Sequence, residues 1–126
     1  MNLQGIHHVA LIVSDYPKSR EFYVDKLGFP VLQEKYRQEQ GDWKLLLQAG
    51  DCLLEIFGME HAPARPDAPE ACGLRHLAFY VEDIEETVAW LNGMGIETDP
   101  IGWDAFTNNR YAFFRDPDGL PLELHE

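Results

Sequence analysis

The chain has 126 residues, 45% of them hydrophobic, which suits one compact domain or two small modules sharing a core and excludes a disordered chain. Twenty-two acidic and 10 basic residues give a formal net charge of −12. That balance repels phosphate backbones and anionic bilayers, so nucleic acid and membrane surfaces are excluded as partners, and small molecules, cations and proteins remain.

Residues 6–13 are apolar and β-branched and predict a strand. Asp15 stands as N-cap, Pro17 lies in the first turn, and a helix is expected to about Leu27, with Phe22, Tyr23 and Leu27 on its apolar face and Gly28 as terminator. Strands are expected at about 30–39, 43–49 and 52–57, joined by turns at Gly41-Asp42 and Gly50-Asp51. Residues 59–73, with Pro63, Pro66 and Pro69, read as a linker between module 1 (1–58) and module 2 (74–126). The second module repeats the order: strand 74–81, Asp83 cap, helix 84–93, Gly95 terminator, a turn at Asp116-Pro117-Asp118-Gly119, and a last strand at 120–125. Residues 96–110 give no clear pattern.

The repetition extends to single residues. Ile6–Asp15 aligns with Leu74–Asp83 at a shift of 76 − 8 = 68, and both copies read His-apolar-Ala-apolar-x-Val-x-Asp. The same shift carries Leu54-Glu55-Ile56 onto Leu122-Glu123-Leu124, since 123 − 55 = 68. Strand alternation puts His8, Ala10 and Ile12 on one face, and it sets each glutamate on the face opposite its apolar neighbours. A carboxylate there is costly unless paired, and a cation is the usual remedy. His8, Glu55, His76 and Glu123 are therefore candidate ligands. Two imidazoles and two carboxylates suit one divalent transition metal (zinc, nickel, cobalt, manganese or ferrous iron, without selection among them) and leave positions for a chelating substrate. His7 is expected to be structural, His61 and His125 to lie on the surface, and Cys52 and Cys72 to be small buried or half-buried thiols rather than a disulfide.

These motifs, with Phe22-Tyr23…Leu27-Gly28-Phe29 and Asp116-Pro-Asp-Gly-Leu-Pro-Leu-Glu123-Leu, resemble the vicinal oxygen chelate superfamily of glyoxalase I, bleomycin resistance proteins and extradiol dioxygenases. Tyr36-Arg37, the stretch from Arg65 to Arg75, and Thr107…Arg110 are similar to a group of small bacterial glyoxalase-like lyases. The resemblance implies an α+β fold of two tandem βαβββ modules whose curved mixed sheets surround the metal. It also implies a lyase or isomerase that moves a proton on a small oxygenated substrate through a metal-stabilised enediolate or enolate, with Glu123 as first choice of base and Glu55 as its symmetric alternative. Glutathione-using members carry an arginine four residues after the first histidine and an asparagine four after the first glutamate. Here those places hold Ile12 and Met59, which argues against glutathione.

Arg37 and Arg110 are expected to bind an anionic substrate, more so than Arg75, with Trp43 and Phe57 lining the pocket. The alternatives are a bleomycin-resistance type of sequestering protein without metal, an epimerase, or a dioxygenase of the same superfamily. A cytoplasmic homodimer is expected. Met1-Asn2-Leu3-Gln4-Gly5 lacks a signal peptide's basic start, and no apolar run approaches the ~20 residues of a membrane span.

Overall fold

Burial alternates along the strands, with Leu11 and Val13 buried and Ile12 exposed, so each sheet packs one face on its core. A computed structural model describes residues 2–126; Met1, at the start of the expected first module, lies outside the described residues. The chain divides into two compact units, Met1–Pro63 and Ala64–Glu126.

The first unit comprises β1 (His8–Val13), α1 (Tyr16–Arg20) with a π-helical continuation (Glu21–Lys26), β2 (Val31–Arg37), β3 (Asp42–Ala49) and β4 (Cys52–Gly58). Its sheet has the order β1-β4-β3-β2, with β1 and β4 parallel and the other neighbours antiparallel. Leu11, Val13, Leu45, Leu47, Leu54 and Ile56 are buried with Tyr16, Phe22 and Tyr23 from the helical segment. Burying Leu54 or Ile56 stabilises by roughly 1.5–3 kcal/mol each. A one-residue slip would exchange them for Glu55, so the register is strongly specified. The side chain of Asp15 accepts from Lys18 N at 3.1 Å and starts the helix as expected. The ladder then widens, with Leu27 N–H donating to Phe22 C=O five residues back at 2.9 Å.

The second unit comprises β5 (Leu77–Tyr80), α2 (Ile84–Gly93), β6 (Gly102–Asp104), β7 (Asn109–Arg115) and β8 (Pro121–His125). Its order, β5-β8-β7-β6, repeats the first plan. Ile84 and Leu91 of α2 are buried, as are Ala112, Phe114, Leu122 and Leu124 of the sheet. Asp83 caps α2 by accepting from Glu86 N at 3.1 Å. In the last hairpin, Asp116 Oδ1 accepts from Asp118 N and Leu120 N, both at 2.9 Å. Gly119 sits there at φ 84°, a conformation that excludes most side chains.

Two boundaries differ from the sequence reading for physical reasons. β5 is shorter than 74–81 because the carbonyls of Leu74 and Arg75 accept from Arg65 Nη2 at 2.9 and 3.0 Å instead of joining a ladder. Residues 96–110, without a clear pattern, contain β6 and the start of β7. Their connection is tied by Asn108 N–H to Asp104 C=O (2.8 Å) and Phe106 N–H to Asp104 Oδ1 (2.9 Å), with Asn108 at φ 59°. Within 59–73, the division between units falls after Pro63. Among the described residues, no helix is long and apolar enough to cross a membrane.

Candidate functional site

The two units place their His-Glu pairs by one rule. In the first, Ala10 pairs with Glu55 and His8 lies two residues earlier on the same strand; in the second, Ala78 pairs with Glu123 and His76 lies two residues earlier. His76 immediately precedes β5, and its ring lies beside Glu123. Residues two apart on a strand share a face, so His8 stands on the side of Glu55. That side is the one not packed on the helix: His8, Ala10 and Ile12 are exposed and Leu11 and Val13 are buried.

His76 Nε2 lies 3.6 Å from Glu123 Oε1, and the Glu123 side chain is only 12% exposed. At that distance the contact is too long for a hydrogen bond. The edge of the His76 ring meets Phe113 at 5.1 Å between centroids. His8 Nδ1 is 2.8 Å from His7 Nδ1, which leaves His8 Nε2 available to a ligand. Glu55 is 19% exposed, and Lys44 Nζ stands 3.8 Å from its carboxylate.

Each pair is two donors of a mixed nitrogen and oxygen set. Such a set fits a divalent transition metal in donor chemistry, and sparingly solvated carboxylates on apolar strands are the kind that a cation stabilises. Two donors make half a site. Among the described residues, no group of three or more His, Cys, Asp or Glu is arranged to hold an ion.

The other expected site residues divide by face. Phe57 lies on the open side of β4, with the Arg37 guanidinium 5.0 Å and the Lys44 ammonium 5.9 Å from its ring centroid. Arg37 is on that side too, but its fork is filled by Asp42 at 2.7 Å to each oxygen. This pairing raises the arginine's pKa and lowers that of Asp42. Trp43 faces the opposite way, stacked on Tyr16 at 4.8 Å and 1° and meeting Tyr36 edge-on. The Tyr16 hydroxyl donates to Glu34, which also accepts from Arg20 Nε at 2.7 Å. Arg110 also points away from the open face. It donates to Glu126 at 2.8 and 2.7 Å and to Glu85 at 3.2 Å, and the first of these pairings holds the Glu126 carboxyl down to about 2.

Three residues were passed over by the sequence reading. Lys35 and Lys44 are direct cross-strand neighbours on the open face of the first unit. His125, expected on the surface, is instead 16% exposed: Nδ1 donates to the Glu126 carbonyl at 2.7 Å, and Nε2 lies 3.2 Å from Asp104 Oδ2 and 3.1 Å from Thr107 Oγ1. The carbonyl and then the Asp104 carboxylate raise its pKa. A cavity of about 420 Å³ adjoins it, lined in part by Ala78, Tyr80 and Asn109. Strand parity was the available signal, since His125 lies two residues beyond Glu123. Cys72 is exposed rather than half-buried, and Cys52 is half-buried.

The glyoxalase/bleomycin resistance protein/dioxygenase superfamily pattern matches residues 5–124. The chain belongs to that superfamily. YwkD of Bacillus subtilis (strain 168) is 53% identical over 100% of this chain and 99% of its own. The crystal structure of a glyoxalase family protein from Enterococcus faecalis superposes with a TM-score of 0.94 at 57% identity, covering 100% of both chains. More distant relatives are a metallothiol transferase FosB from Staphylococcus saprophyticus (29% identical; 98% of this chain, 77% of that) and a probable lactoylglutathione lyase from Vibrio cholerae (29%; 98% and 91%).

Proposed function

We propose that this member is a metal-dependent, glyoxalase-like lyase or isomerase acting on a small oxygenated substrate. His8, Glu55, His76 and Glu123 are its metal ligands. The reading is carried by the equal register of the two His-Glu pairs, Ala10 opposite Glu55 and Ala78 opposite Glu123. It is supported by relatives described as a metallothiol transferase and a probable lactoylglutathione lyase. A divalent metal on these four donors supplies a Lewis acid for the substrate's oxygens.

Glu123 is the proton carrier. Its carboxylate is less exposed than that of Glu55 and, among the described residues, has no ammonium beside it, whereas Lys44 attends Glu55. A carboxylate positioned beside the substrate can take a proton from a carbon acid and return it to the neighbouring carbon. Phe113 packs edge-to-face with His76, and Phe57 lies two residues from Glu55 on the same face of β4. Each unit supplies two of the four donors.

The test is metal content in protein purified without chelators or nickel columns, followed by turnover of methylglyoxal with a panel of thiols under each metal. About one metal per complete site, with activity lost in Glu123→Gln, is the expected result. Absence of turnover across the panel removes the glyoxalase I reaction. Absence of metal, with small-molecule binding unchanged in Glu123→Gln, replaces the enzyme with a sequestering protein.

A further inference from the structure

Six of the ten basic residues fall before residue 59, and three of those six, Lys35, Arg37 and Lys44, share one face of β2 and β3. With Gln33 and Leu46 they line a cavity of about 210 Å³. In a chain of net charge −12, this concentration is at odds with the rest of the molecule.

Lys35 and Lys44 stand directly opposite each other on an antiparallel pair. Like charges in that position destabilise a sheet. The fold plan does not demand them. In the second unit Gly102 pairs with Tyr111, one strand pair over from Tyr111 with His125, as Lys35 pairs with Lys44 and Lys44 with Phe57. The same positions there carry no cation. Among the described residues Lys35 has no carboxylate within ion-pair distance, and Lys44 has only Glu55 at 3.8 Å.

We infer that Lys35 and Lys44 form an oxyanion subsite for a phosphate-like, doubly charged substituent of the substrate. This inference deepens the proposed metal-site reading by naming a group that its substrate carries. The Arg37 fork, the natural partner of a carboxylate, is already filled by Asp42. What remains are two ammonium point charges and the Gln33 amide, suited to a group with about two negative charges and three acceptor oxygens. The cavity is smaller than the ~300 Å³ lower bound of sites that enclose a whole ligand. It holds a substituent, one to two strand spacings of ~4.8 Å from Glu55.

The experiment is calorimetric titration of the full chain with inorganic phosphate and, separately, acetate, at low ionic strength, as purified and after chelator treatment. Saturable phosphate binding in both preparations, exceeding acetate, is expected. Lys35→Gln and Lys44→Gln should each weaken it about tenfold or more, the scale of a lost charge-assisted hydrogen bond, while Lys18→Gln on α1 leaves it unchanged. Lys35→Gln should also melt at a higher temperature than the parent without phosphate, because the cross-strand repulsion is gone. Phosphate binding only before chelation, equal acetate binding, unchanged affinity in Lys35→Gln, or a lower melting temperature in that variant would each overturn the subsite. Metal loss with phosphate binding intact sinks only the metal reading; metal retention without phosphate binding sinks only this one.

Discussion

The two units share a backbone plan and a His-Glu register, yet they differ at almost every other position of the open face. Where the first has Lys44 beside Phe57, the second has Tyr111 beside His125. Where the first pairs Arg37 with Asp42, the second pairs Asp104 with Asn109. The difference extends to the helix side. Trp43 stacks on Tyr16 in the first unit, and Arg110, which like Trp43 precedes the residue facing Phe57 or His125, forms an ion pair with Glu126 in the second. The lesson is a division of labour: the proposed ligands are duplicated, and recognition of the substrate is not.

The largest test of that division is catalytic. With metal saturating, Glu123→Gln should lower kcat by ~10²–10⁴, the range for loss of a positioned base. Glu55→Gln should lose less, and equal losses in steady-state assays would break the asymmetry. Next come the cores. Leu54→Ala and Leu122→Ala, 2% and 0% exposed, hold equivalent positions at a shift of 68. Each should lose ~2–5 kcal/mol in urea unfolding, and a much smaller loss in one would show that its unit relaxes around the cavity.

Smaller effects sharpen the comparison further. His7 touches His8, while its counterpart Arg75 is bound to Glu70 at 2.7 Å. His7→Ala should weaken metal affinity by ~10–100-fold, as loss of a ring-orienting neighbour does, and Arg75→Ala should leave it unchanged by competitive chelator titration. A Cβ on Gly58 would lie 2.8 Å from Tyr16 Cδ1, and one on Gly102 would lie 2.6 Å from the Tyr111 ring. Tyr16 is buried and held between Trp43 and Glu34, so Gly58→Ala should destabilise by ~1–3 kcal/mol; half-buried Tyr111 can move, so Gly102→Ala should cost less by thermal melting. Least is the acid response. Glu126 is depressed to about 2 from 4.5, chiefly by Arg110, so its contribution is complete above about 4.5 and is lost as pH falls toward about 2. Glu126→Gln should flatten that part of the stability–pH curve, whereas Trp43→Ala should lower stability without changing its slope there.

Much of this was legible in the sequence because the duplication supplied two independent readings of one pattern. The caps Asp15 and Asp83, the nearness of each histidine to its glutamate, and the buried neighbours of each glutamate follow from the repeat, period-two alternation and helix-start chemistry. Trp43, read as lining the pocket, and Arg110, read as binding an anionic substrate, face the helix side, where Trp43 lines a separate cavity with Tyr16 and Tyr36; strand parity cannot be counted without register. Arg110 lies near the start of β7, in the stretch with no clear alternation, one residue before the first β7–β8 pair, Tyr111 with His125. Lys35 and Lys44 were invisible for the same reason: a lysine on a strand looks solvated until its cross-strand neighbour is known.

The equal register of the two pairs also bears on ancestry. Each unit carries one His-Glu pair, so two copies of one unit supply all four proposed donors. A single βαβββ unit, encoded once and pairing with itself, would already have owned the whole coordination set. Duplication within one reading frame frees the surroundings of each pair to diverge, and lysines stand near one pair and a histidine near the other.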